Sequence, residues 1–140
     1  MPKTDTIADQ AVALTATRSG DKVTVAGPTS FNLPVDSGAT RFNFTLTDST
    51  GGLDVKFKSL DREDNCSTCP PASGDNSRQI GGVSMNNNQT PKKAAFTNNN
   101  NNNAKDGPLD VCFQWNFTCN DPDVTVEPYD PIITNGGETR

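Results

Sequence analysis

Leu109-Asp-Val-Cys-Phe-Gln-Trp-Asn-Phe-Thr118 carries five large apolar side chains, Leu109, Val111, Phe113, Trp115 and Phe117, at consecutive odd positions. Asp110, Cys112, Gln114, Asn116 and Thr118 fill the even ones. Strand side chains alternate between faces, so the segment reads as a strand with one buried row and one polar row, and it is predicted to be the central core strand. No stretch shows sustained helical periodicity, and no self-similarity at fixed spacing points to a solenoid or propeller.

The same alternation recurs upstream. Phe42, Phe44 and Leu46 share one face while Asn43, Thr45 and Thr47 share the other; Leu53, Val55 and Phe57 repeat the pattern against Asp54, Lys56 and Lys58. Between the two runs lies Asp48-Ser-Thr-Gly-Gly52, rich in turn formers, and a hairpin is predicted there. Weaker strand candidates are 11–17, 22–26, 29–33, 79–84, 94–97 and 123–127, punctuated by Gly20-Asp21 and Gly27-Pro28. Their spacing points to a meander or Greek key rather than βαβ units. The predicted fold is an antiparallel β-sandwich, with a partly open β-barrel as the alternative. Ten prolines and eleven glycines agree with it, since both residues shorten regular elements and supply corners.

The chain has 140 residues, 31% of them hydrophobic, with a mean hydropathy of −0.65, enough for one modest core and hence one domain over residues 1–140. Its net charge of −5 repels phosphate backbones and anionic headgroups, so no nucleic-acid partner is expected. Histidine is absent, which removes the usual general base, the imidazole metal ligand and every Ser/His or Cys/His nucleophile pair. Met1 to Leu14 contains no secretory signal, being broken by Asp5, Asp9 and Gln10. The longest apolar run, Ala11 to Leu14, falls far short of the roughly 18 residues that suggest a membrane span. A soluble chain without membrane insertion is expected, placed in the cytoplasm or in a particle or assembly.

Four segments depart from regular alternation. Residues 61–79 hold a cysteine pair and Pro70-Pro71 with almost nothing apolar, and read as a long loop over one end of the sandwich. Residues 85–105 include Asn86 to Asn88 and the run Asn98 to Asn103, and read as a mobile hairpin tip, ordered only if a neighbouring chain stacks on it. The N-terminal stretch 1–20, anchored by Ile7, Val12 and Leu14, is expected to be an edge strand of its own sheet or an arm added to a neighbour's. The tail 128–140 is expected to be pinned by Ile132 and Ile133 and then to fray beyond Gly136-Gly137. The Asn-x-Ser/Thr tripeptides at Asn43, Asn65, Asn88 and Asn116 carry no weight among 16 asparagines and 17 threonines.

Cys66 and Cys69 form a C-x-x-C, with Cys112 and Cys119 far downstream. A thioredoxin-like pair needs a helix N-terminus, and Pro70-Pro71 follows instead. A zinc site from Cys66, Cys69, Cys112 and Cys119 meets two objections: the second pair is too widely spaced, and positions 112 and 119 point to opposite faces of an unbroken strand. Disulfides among these four are the favoured reading, with free thiols the remaining one; a bond from the loop pair to Cys112 or Cys119 would staple the loop to the central strand. The acidic groups Asp61, Glu63, Asp64 and Asp121, Asp123, Glu127, Asp130 lack the register of a calcium loop, and no pair of carboxylates shows glycosidase spacing. Gly51-Gly52 and Gly81-Gly82 lack the lysine of a phosphate loop. No catalytic residue, cofactor or metal is therefore assigned.

The closing segment Asp130-Pro-Ile-Ile-Thr-Asn-Gly-Gly137, following Val111-Cys-Phe-Gln-Trp-Asn-Phe117, resembles the ending of certain small uncharacterised bacterial proteins that carry a DP-x-I-x-N-G-G tail after their last core strand. That resemblance implies no activity. What the residues support is a non-enzymatic structural or assembly protein, a homo-oligomer or larger assembly built through sheet edges, terminal arms or Asn/Thr-rich faces. The alternative is a binding module whose loops 61–79 and 85–105 recognise another protein or a small ligand.

Overall fold

In the computed structural model, which describes residues 7–66 and 70–140, the predicted core strand is β9 (Leu109–Thr118). Before it come β1 (Ala8–Ser19), β2 (Lys22–Ala26), β3 (Ser30–Leu33), β4 (Thr40–Ser49), β5 (Lys56–Asp64), β6 (Asp75–Asn76), β7 (Ile80–Asn86) and β8 (Lys92–Asn98); after it come β10 (Thr125–Val126) and β11 (Ile132–Asn135). One short 3-10 turn, Ala104–Asp106, precedes β9. The fold is an all-β sandwich. Its first sheet has the order β10-β2-β1-β4-β8-β7 and its second β3-β11-β9-β5-β6.

The alternating rows meet between the sheets. Phe42, Phe44 and Phe96 from the first sheet pack on Phe113 and Trp115 from the second, all within 1% of full burial. Ring centroids lie 4.8 Å apart for Phe96–Phe113, 5.6 Å for Phe44–Trp115 and 5.1 Å for Phe57–Trp115. Such edge-on pairs add roughly 0.5–1.5 kcal/mol each beyond area burial, so this cluster is where the sheets are held.

The expected hairpin is instead a sheet-switching corner, because β4 belongs to the first sheet and β5 to the second. Asp48 organises the corner: its carboxylate accepts hydrogen bonds from the Thr50 amide at 3.0 Å, the Thr50 hydroxyl, and the Val55 amide at 2.9 Å. Leu53 and Val55 are buried beneath it. Alternation could not distinguish the two outcomes, since a strand crossing the core also turns its odd residues inward. Past Phe57 the β5–β9 register shifts by a bulge, so that Leu60 packs against the core and the parity read from the sequence is lost.

Pairing is mixed rather than wholly antiparallel: β1 with β4, β2 with β10, β3 with β11 and β5 with β6 are parallel. The segment expected as an edge strand or arm pairs with β4 over Ala8–Thr17 and with β2 only over Thr15–Ser19, so it is an edge strand of its own sheet over Ala8–Leu14 and interior beyond, with Val12, Leu14 and Ala16 buried. Residues 1–6 lie outside the described residues. Much of the two expected loops is strand, since 61–64 belong to β5, 85–86 to β7 and 92–98 to β8.

Candidate functional site

The polar segments were the candidates for function, and the structure divides them into those that are used up inside the molecule and those left open. The asparagine run falls in the first group. Asn98 on β8 and Asn135 on β11 face each other across the two sheets, each fully buried, and exchange amide hydrogen bonds of 2.7 and 3.0 Å. Gln79 joins them, accepting from Asn135 Nδ2 at 3.3 Å and from the Asn101 amide at 3.1 Å while donating to Asn101 Oδ1 at 2.9 Å. Asn100, also fully buried, donates to Pro34 O and Ser37 Oγ and accepts from the Gly137 amide at 2.8 Å. Its φ of 48° lies in the left-handed region that asparagine tolerates better than most residues.

The tract is thus ordered by its own chain, correcting both the mobile-tip expectation and the expectation that a neighbour would order it. The tail is pinned to its end. Thr139 donates to Asp36 from its amide at 2.8 Å and its hydroxyl at 2.7 Å, and Arg140 Nη2 reaches Asn101 O at 2.6 Å. The Thr139 amide and hydroxyl hold the Asp36 carboxyl below its usual value. Gly137 is required by space as well as by its φ of +85°, because a Cβ there would stand 2.2 Å from Asn102 O.

The cysteines also divide. Cys66 and Cys112 are bonded to each other, with an S–S distance of 1.96 Å, which staples the start of the 65–79 segment onto the outer face of β9. Two sulfurs in one covalent bond cannot serve as thiolates, so the four-cysteine zinc reading loses half its ligands. Cys119 is a half-buried free thiol beside Asp121 O at 3.4 Å. Cys69 lies outside the described residues.

Carboxylates in this region act on backbone. Asp61 accepts from the Gly74 amide at 2.8 Å, Glu63 from the Ala72 amide at 2.6 Å, and Asp64 from the Ser77 hydroxyl and the Arg78 amide. Asp75 pairs with Arg62 at 2.8 Å, which lowers its carboxyl's pKa. In the second acidic cluster Asp121 accepts from the Asp123 amide and Glu127 pairs with Lys22. Among the described residues no three such groups converge as a metal site.

What stays open belongs to the first sheet. Its edge strand β7 runs for seven residues, Ile80-Gly-Gly-Val-Ser-Met-Asn86, with no charge and no proline. The other outermost strands are shorter, β3 with four residues and β6 and β10 with two each, while β1 is open over Ala8–Leu14, where β2 does not reach it. Arg41 steadies β7 from β4, donating to Gly82 O and Thr97 Oγ1 at 2.9 Å. Met85 is 43% exposed, beside a groove of about 540 Å³ between β7, β8 and β4. The outer face of the sheet presents short side chains, Ala11, Ala13, Thr15 and Thr17 on β1 beside Asn43, Thr45 and Thr47 on β4. Sequence reasoning noted Asn/Thr-rich faces but could not say which threonines share one; the two T-x-T triplets at 15–17 and 45–47 were the available signal.

No helix among the described residues is long and apolar enough to cross a membrane. Comparison with protein-family models, with curated proteins and with solved structures finds no match.

Proposed function

We propose that this chain is a non-enzymatic structural protein that self-associates, and that it does so by pairing β7 with β7 of a second copy. The observation that carries this reading is the uncharged, proline-free seven-residue edge of β7; the stretch of β1 that β2 leaves open, Ala8–Leu14, is as long but carries Asp9. Exposed edges present unpaired backbone donors and acceptors, and chains that must stay apart blunt them with lysine, proline, bulges or very short strands; of these β7 has only a bulge, between Gly81 and Ser84. Two antiparallel copies of Ile80–Asn86 would oppose no like charges, as a self-complementary contact requires. Internal polar groups support the same reading, because the carboxylates of Asp61, Glu63 and Asp64 accept from neighbouring backbone amides and the buried amides of Asn98 and Asn100 are taken up by partners in the same chain.

Light scattering is expected to give a mass of at least twice the 14.9 kDa of the chain. Met85→Lys, a charge on an already exposed edge position, is expected to remove that pairing without altering the far-ultraviolet circular dichroism. Monomers at millimolar concentration, or a variant that associates as the parent does, would refute edge pairing.

A further inference from the structure

Resting on the self-association reading, we infer that Arg41 is the positioning residue of the β7 edge, holding the bulged middle of that strand in the conformation a second copy meets. β7 follows β8 in antiparallel register at both ends, with Ile80 opposite Asn98 and Gly81 opposite Thr97, then Ser84 opposite Ala95 through to Asn86 opposite Lys93. Between these stretches two β7 residues, Gly82 and Val83, stand against the single β8 residue Phe96. A bulge disrupts the ladder locally, so here the sheet's own bonds do not fix the strand. Gly82 is exposed and has a φ of 60°, in the left-handed region that favours glycine.

Arg41 supplies a hold from two strands away. Its half-buried side chain leaves β4 and crosses β8 on the outer face of the sheet. Nη1 donates to Thr97 Oγ1 on β8 and to Gly82 O in the bulge, both at 2.9 Å, and Nη2 reaches Ser84 Oγ at 3.4 Å, where the regular register resumes. A Cβ on Gly82 would stand 3.2 Å from Nη1, so the glycine also leaves room for the guanidinium. One side chain thus ties three strands together at the row where the ladder fails. Association costs the ordering of whatever was loose beforehand, and an edge already held in place avoids most of that cost. Charge alone predicts the opposite sign: two copies paired along β7 bring both Arg41 guanidiniums to one continuous sheet, where like charges repel. Because Nη1 makes both 2.9 Å bonds, the single nitrogen of a lysine can keep them, whereas methionine has no donor.

The test combines sedimentation equilibrium with amide hydrogen exchange on the parent, Arg41→Met, Arg41→Lys and Thr97→Val, with Met85→Lys as the monomeric reference. Arg41→Met is expected to raise the dimer dissociation constant about tenfold, the worth of one or two net hydrogen bonds. In samples dilute enough to be monomeric, it is expected to speed exchange over residues 82–86 and to leave β1 and β9 as in the parent. Arg41→Lys, which keeps the charge and a donor, should recover most of the pairing. Thr97→Val removes one of the two acceptors of Nη1 without changing β7, and should weaken pairing in the same direction by a smaller factor; it carries the test should Arg41→Met fold poorly. A role confined to stability would lower the urea midpoint of Arg41→Met and leave the dissociation constant of the folded protein unchanged. That result, unaltered exchange over 82–86, or tighter pairing of Arg41→Met overturns the positioning role, while a dimeric parent with monomeric Met85→Lys leaves edge pairing standing. A monomeric parent overturns both.

Discussion

Two polar regions of similar composition meet opposite fates. In the asparagine clamp Asn98, Asn101, Gln79 and Asn135 pair amide to amide and Asn100 turns onto Pro34, Ser37 and Gly137, while the threonine and alanine rows on β1 and β4 face outward. The difference lies in what each amide or hydroxyl gains. A buried amide must find a partner or lose its hydration without compensation, and the clamp supplies partners from β8, β11 and the segment before β7 at one end of the sandwich. A threonine on an exposed face keeps water as its partner and contributes little to folding. Polarity thus does not mark function; the clamp is polar because it replaces a core at the sandwich's open end, and the face is polar because nothing of its own chain covers it.

Cutting the covalent staple is the strongest way to test how much the pinned segments depend on chain connectivity. The Cys66–Cys112 bond closes a loop with a sequence separation of 46. By the chain-entropy model its removal through Cys66→Ser with Cys112→Ser costs about 4 kcal/mol. Urea unfolding of the double variant should show that loss, and an effect within about 0.5 kcal/mol would mean that the hydrogen bonds of 61–78 hold the segment unaided.

The comparison itself is sharpened by paired substitutions. Asn135→Ala strands the amides of Asn98 and Gln79 in a buried site and is expected to cost about 2–3 kcal/mol, whereas Thr15→Ala on the open face should stay within about 0.5 kcal/mol. Equal effects in urea titrations would erase the distinction drawn between the two regions.

The smallest expected effect is one of pH. Burial tends to raise the Asp48 pKa, but hydrogen bonds from the Thr50 hydroxyl, the Val55 amide and the Thr50 amide, with the charge of Lys92, outweigh it and leave the carboxyl below its ordinary 3.8. A carboxylate depressed in the folded state stabilises fully above its unfolded value and loses that contribution as pH falls through the folded one. Stability should therefore drop below about pH 4, and Asp48→Asn should flatten part of that slope. Asp36, Asp54 and Asp75, lowered in the same direction, keep the slope from vanishing. An Asp48→Asn slope identical to the parent's would show that the corner carboxylate is not linked to folding.

Much of the fold was legible. The central strand was anticipated at its observed bounds, 109–118, and 22–26 likewise; β1, β3, β7 and β8 fell on candidates within a few residues. β11 was not read as a strand, because Ile132-Ile-Thr-Asn135 follows Pro131 and precedes two glycines, and local turn chemistry outweighed a ladder that only β3 and β9 provide. The second half of β5 was hidden by the bulge between Phe57 and Ser59, which inverts the parity on which strand reading depends. Of the candidate sites, the disulfide pairing and the asparagine clamp needed distances in space. The clamp's central bond joins residues 37 apart, and the run of six asparagines reads identically whether it is solvated or interlocked.

By itself the sequence determined that this chain folds into strands and, where no bulge intervenes, which side chains share a face, because alternation is imposed within each strand by the two-residue repeat of its own backbone. Only the tertiary structure decided which strands lie side by side, which cysteines bond, and whether a polar row is buried or open. Inward parity is the same for a neighbour in the sheet and a partner across the core, and a hydrogen bond between distant amides leaves no local trace.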